Sequence, residues 1–277
     1  MNSRSHVVQI CGILALVVLL AGCGAFGSAG DDSDRDPYGV DNTTSPELLP
    51  GLTENEVTNH RALLENHAET LSNRSYMLEQ TTTRTYPNGT VSYTLTETMA
   101  VEADGTARVE LTEGMADEAD DTALVEHRFG EGWGTEEEVL TNFAVNRSDE
   151  EPPTFYRQAR TKYHFTAFES VERGMSAMDN ISISTKAEGK TRYILESAES
   201  SPYQYENASL HMVVNEEGYV ESYRFAYEEL VDSEMMTVVM EVTIDRVDEE
   251  ITVERPEWVS EAREYFDEQN GASTDDE

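Results

Sequence analysis

Two hydrophobic periods succeed one another along the chain. Leu63, Leu64, His67 and Leu71 recur at spacings of three and four, which predicts a helix from about Glu54 to Ser72 with one buried stripe. From Tyr76 the period falls to two. Tyr76 and Leu78 open a strand, then Val91, Tyr93, Leu95, Met99 and Val101 alternate, followed by Ala107, Val109 and Leu111. Asn88-Gly89 and Asp104-Gly105 mark hairpin turns, because these residues tolerate positive φ. An acidic loop is expected from Thr112 to Asp121, then a strand through Ala123, Val125, His127 and Phe129, and a further turn at Gly130-Glu-Gly132-Trp133-Gly134.

After Pro152-Pro153 a short strand is expected near Tyr156, and Phe168, Val171, Met175 and Met178 predict a second helix over Thr166–Met178. Strands then resume at Ile181 and Ile183, Tyr193 and Leu195, Leu210 to Val214, Tyr219 to Tyr227, Met236 to Ile244, and Ile251 and Val253. Pro256-Glu257-Trp258 begins a short terminal helix. The pattern predicts an α+β fold: a curved antiparallel sheet, an open half-barrel of roughly eight to eleven strands, wrapped around two helices. It forms a single domain over residues 50–268, before a disordered acidic tail at 269–277.

The N-terminus has a different character. Arg4 precedes an apolar stretch from Val7 to Leu20 broken only by Gln9, and Leu20-Ala21-Gly22-Cys23 closes it. A positive start, a short apolar run and small residues before a cut site make a secretory signal. Leu-Ala-Gly-Cys resembles the lipobox of bacterial and archaeal lipoproteins, which implies a signal peptide over 1–22 and lipidation of Cys23. An uncleaved span is the competing reading, because Val7 to Gly27 is long enough to cross a bilayer. Either way the domain is expected on the extracytoplasmic face of the cell membrane. Residues 23–49, with Asp31-Asp32-Ser-Asp34-Arg-Asp36, read as a flexible acidic spacer.

Charge sharpens this picture. The 277 residues hold 56 Asp+Glu against 19 Lys+Arg, a formal net charge of −37, with only three lysines. Such an excess repels nucleic acid. The acids are spread along the chain, as on halophilic proteins, where molar salt shortens screening to about 3 Å and holds self-repulsion in check. N-glycosylation sequons stand at Asn42, Asn73, Asn88, Asn146, Asn180 and Asn207. That is six where composition suggests about two, and export would explain the excess.

No constellation for catalysis emerges. Nucleophile elbows, His-Glu-x-x-His, phosphate loops and Cys-x-x-Cys are absent, and His60 and His67 stand seven apart, too far for the usual i, i+4 metal pair. The chain reads as a non-enzyme with no cofactor or metal. Met212, Tyr223, Phe225, Met236, Val238 and Met240 predict a soft apolar surface, the expected lining of a cavity for an apolar or lipid moiety. A fully packed core, with protein contacts as the work of the molecule, is the competing expectation.

Leu49-Pro-Gly-Leu-Thr53, Arg61-x-Leu-Leu-x-x-His67 and Leu71-Ser-Asn-Arg74-Ser75-Tyr76, placed after a lipobox cysteine and an acidic spacer, resemble a family of secreted haloarchaeal lipoproteins. The order of one helix followed by an antiparallel meander is similar to LolA-type lipoprotein carriers and mycobacterial lipid-binding lipoproteins. That resemblance implies a curved sheet that wraps acyl chains, with helices as a lid. It transfers no individual residue.

Overall fold

The computed structural model describes residues 45–117, 120–143, 154–200, 205–231 and 233–272. Cys23, the spacer up to residue 44 and the sequons at Asn42 and Asn146 lie outside them, whereas the last spacer residues, 45–49, are described and include a strand.

Strands β1 (Glu47–Leu49) and β2 (Leu52–Thr53) form a small hairpin. Gly51 takes a φ of 78° at its turn, and a β-carbon there would lie 2.0 Å from the Asn59 carbonyl oxygen. Thr53 N–H donates to the Glu56 carbonyl, and Leu52 bridges to Val57, so residues 53–57 turn rather than begin the expected helix. Helix α1 (His60–Leu71) starts only where Asn59 supplies a cap, its side-chain oxygen accepting from Ala62 N–H at 3.1 Å.

A meander follows: β3 (Tyr76–Thr85), β4 (Val91–Val101), β5 (Ala107–Asp117), β6 (Asp120–Gly134), β7 (Glu138–Phe143) and β8 (Thr154–Ala159). Gly89 and Gly105 hold φ of 87° and 84°, and Asn88 and Asp104 each accept from the N–H two residues on, as the turn signals predict. Two expectations fail here. The acidic loop is strand on both sides, β5 reaching Asp117 and β6 starting at Asp120. Gly130, Gly132 and Gly134 lie within β6, at alternate positions paired with Leu111, Val109 and Ala107. Period-two glycines clear space on one face of a strand, which a search for turns misreads.

Helix α2 (Phe168–Ala177) leads to β9 (Met178–Asp179), β10 (Ser182–Glu188), β11 (Lys190–Ser197), β12 (Glu199–Ser200), β13 (Glu206–Asn215), β14 (Val220–Val231), β15 (Glu234–Asp245) and α3 (Trp258–Ala272). Ile251 and Val253, expected as a strand, take no regular structure; Val253 N–H instead donates to the Glu102 carboxylate at 2.7 Å.

Among the described residues eleven strands join one sheet in the order β10-β11-β13-β14-β15-β3-β4-β5-β6-β7-β8, antiparallel throughout. The β15–β3 ladder welds the two meanders, and the sheet stays open because its edges are different strands, β10 and β8. The fold is therefore α+β with an open antiparallel sheet and two helices on one of its faces, as the pattern predicts; the terminal helix, α3, is the third among the described residues. Helices α1 and α2 pack on one face, in a core that includes Leu63, Leu64, Leu71, Leu78, Val171, Met175, Tyr223 and Phe225. Helix α3 covers the opposite face near β8, where Trp133, Leu140 and Phe155 pack with Val259 and Ala262. Glu138 anchors it there, accepting from Arg263 at 3.0 Å and ion-paired with Arg157 at 2.6 Å.

Candidate functional site

The six residues expected to line a cavity do come together. The register places Met212 opposite Tyr223, Phe225 opposite Met240 and Tyr227 opposite Val238, with Met236 opposite Glu229, so all six share the face that α1 and α2 cover. Every one is buried: Met236, the most exposed, is 6% exposed, and Phe225 and Met212 are 0%. Tyr205 and Tyr227 join Phe225 in edge-on and tilted ring contacts with centroids 4.4–5.3 Å apart.

Helix α2 closes over this patch at Gly174, whose missing side chain admits Tyr223 and Phe225. The Tyr223 hydroxyl donates to the Ser170 carbonyl at 3.3 Å, and burial pushes its pKa well above the usual phenol range. The approach to α2 is strained. Phe165 and Ala167 hold φ of 69° and 53°, and no side chain caps the helix. A left-handed non-glycine residue costs about 1–2 kcal/mol. Two buried bonds hold the segment down: Tyr76 Oη donates to the Phe165 carbonyl at 3.1 Å, and His67 Nε2 meets the Thr166 carbonyl at 2.8 Å. The Phe165 ring lies on Gly134, where a β-carbon would come within 2.4 Å of it.

His67 is the residue whose role the sequence understates. It is fully buried in α1, and its Nδ1 accepts from Val220 N–H at 3.1 Å while Nε2–H donates to Thr166. Those two bonds specify the neutral imidazole, and burial lowers its pKa to about 4. One ring thus ties α1, the start of β14 and the approach to α2. His60 does not join it; its Nε2 faces Ser176 Oγ at 3.4 Å.

Beyond the helices the same face turns polar. Ladder partners Gln80–Glu97, Thr82–Leu95 and Arg84–Tyr93 continue across β3 and β4, and Leu111, Glu113 and Met115 extend them on β5. Gln80 Nε2 donates to Glu97 at 2.9 Å, and desolvation raises the Glu97 pKa. The Arg84 guanidinium sits 5.3 Å from the Tyr93 ring centre and 3.2 Å from Glu229.

Two surface clefts flank the helices. One, of about 290 Å³, lies among Arg160, Lys162, His164, Asp104 and Glu136; the other, of about 530 Å³, lies among Val57, His60, Met175, Met178 and Ile181. Among the described residues no cluster of three or more His, Cys, Asp or Glu is placed to hold a metal, and no helix is long and apolar enough to cross a membrane. Asn73, Asn88, Asn180 and Asn207 are all exposed.

No protein-family model and no curated protein sequence matches the chain. Among solved structures it is similar to a LolA superfamily protein from Nitrosomonas europaea, at 9% identity over 72% of this chain and 96% of that one, with a TM-score of 0.28. It is also similar to a chain of the Pseudomonas aeruginosa MucA/MucB complex, at 12% identity over 70% of this chain and 58% of that one, with a TM-score of 0.30. The architecture given above rests on this chain's own strand ladders.

Proposed function

We propose that the protein is a non-catalytic binding lipoprotein, tethered through Cys23 to the extracytoplasmic face of the membrane, and that it receives an apolar or lipid moiety between α2 and the soft face of β13–β15. One observation carries the reading. A methionine- and aromatic-rich patch is covered by a ten-residue helix that starts through two left-handed residues without a cap. Strain at the approach to a cover lowers the cost of lifting it, and methionine side chains repack around irregular ligands.

A second reading is supported by the packing: all six patch residues are buried, and α2 seats on two of them, Tyr223 and Phe225, through Gly174. A closed core of that kind suits an envelope protein that works through contact with other proteins.

Titration with a fluorescent acyl probe separates the two. Saturable binding, weakened by Met240→Asp in protein that keeps its circular-dichroism spectrum, supports the carrier; no binding supports the contact protein. Cys23→Ser is expected to release the protein into the medium, and continued membrane association would replace the lipid tether by an uncleaved span.

A further inference from the structure

Strand β10 ends the sheet with one side of its backbone unpaired by any strand among the described residues. An unpaired edge is a template for another chain, and folds blunt it with proline, bulges, charges or covering elements. Ser182–Glu188 contains neither proline nor glycine, and it pairs with β11 through seven consecutive residues without a bulge. The opposite edge, β8, is treated differently. Its Phe155 stacks on Trp258 of α3, and its Arg157 is spent on Glu138.

Charge sets the β10 edge apart from the rest of the surface. Two of the chain's three lysines, Lys186 and Lys190, stand on the β10–β11 hairpin. Lys186 lies directly across the ladder from Arg192, an arrangement of like charges that costs stability on its own. The acids of this hairpin are Glu188, opposite Lys190 in the ladder, and Glu196, opposite Ser182 and beside His211; from outside it, Glu216 accepts from Thr191 N–H and Glu221 pairs with Arg192. Lys186 and Lys190 are exposed and have no ion-pair partner among the described residues. In a chain of net charge −37, the exposed ammonium groups of Lys186 and Lys190 are placed for an incoming acid. The far end of the same strand borders the 530 Å³ cleft, where Val57, Met175, Met178 and Ile181 offer apolar contact.

We propose that the edge of β10 is a docking site at which an extended acidic segment of a partner protein adds to the sheet as a further strand. Backbone bonds along Ser182–Glu188 supply affinity, Lys186 and Lys190 select acidic side chains, and the cleft receives an apolar one at the opposite end. A second copy of this chain is a poorer occupant, because edge-to-edge pairing brings the same cations together.

The test uses protein produced without glycosylation, since Asn180 borders the cleft, at the lowest salt at which the fold is kept. The probe is a synthetic peptide alternating Glu and Val, followed by amide NMR and calorimetry. Saturable binding with shifts confined to β10 and its hairpin is expected, weakened about tenfold by Lys186→Glu, an exposed site that leaves folding intact. A peptide N-methylated on one set of alternate residues should lose binding while the complementary set retains it, which only strand pairing produces. Absence of binding, binding indifferent to Lys186→Glu, equal loss with both methylated peptides, or a β10-dependent homodimer in sedimentation would each overturn the proposal. None of these outcomes bears on whether the soft face holds a lipid.

Discussion

A β-carbon added to Gly174 would lie 1.7 Å from the hydroxyl oxygen of Tyr223 and 3.0 Å from the Phe225 ring. The helix that covers the soft face is thus seated by one absent side chain. Gly174→Ala gains helix propensity of about 1 kcal/mol but forces α2 off the sheet, and overpacking of this kind costs about 1–3 kcal/mol. The expected outcome is a lower denaturant midpoint. An unchanged or raised midpoint would mean that Tyr223 turns aside without resistance and that α2 is held elsewhere.

His67 predicts a pH dependence. The unfolded imidazole takes its proton near 6.5, whereas the buried ring does so only near 4. Below 6.5 the unfolded state binds more protons, so the contribution is complete above that pH and is lost as pH falls toward 4, on the order of 3 kcal/mol in all. His67→Gln, which leaves Val220 N–H or the Thr166 carbonyl unmatched, is expected to be less stable at neutral pH, by about 1–3 kcal/mol. Its unfolding free energy should lack the 6.5-to-4 component. Parallel pH curves for the two proteins would contradict the neutral, two-bond assignment.

Glu97 predicts the opposite sign. Its folded pKa lies above the ordinary 4.5 because burial disfavours the carboxylate, so its contribution to stability falls as pH rises from 4.5 through the folded value. Glu97→Gln retains an acceptor for Gln80 and removes the buried charge. Its melting temperature is expected to exceed the wild type's at neutral pH and to converge with it in acid, as calorimetry across that range would read. A less stable variant at neutral pH would mean that the carboxylate is held by an interaction other than Gln80.

The acid excess gives a salt prediction. Lowering salt from molar concentrations to 0.1 M lengthens screening from about 3 to about 10 Å, so self-repulsion among dispersed carboxylates grows. The melting temperature is expected to fall, and a flat response would remove the basis for reading the surface as halophilic.

Much of this architecture is written in local periodicity. Tyr76, Leu78, Val91 to Val101 and Met236 to Ile244 alternate because only one face of their strands is buried, and Gly89 and Gly105 stand where a positive φ is needed. What stayed hidden depends on partners distant in sequence. Gly130, Gly132 and Gly134 look like a turn until Phe165 and Leu111 are seen across them. The start of α1 is decided by Asn59 and by the Leu52–Val57 bridge, which no helical spacing reports. Trp258 looks like the start of a short cap, yet α3 has its own patch of sheet because Trp133 and Leu140 face outward. The six soft-face residues were legible as a group. A helical cover was legible too, but its seating was not, since the fit of Gly174 to Tyr223 joins residues 49 positions apart.

The central claim is that the space between α2 and β13–β15 receives an apolar guest. Native mass spectrometry of residues 24–277, purified at high salt from an exporting host and followed by organic extraction, tests it most directly. The account predicts a co-purifying lipid at one per chain, lost on extraction and absent from Met240→Asp. A folded protein that carries no lipid, and gains none when offered membrane extract, would contradict it.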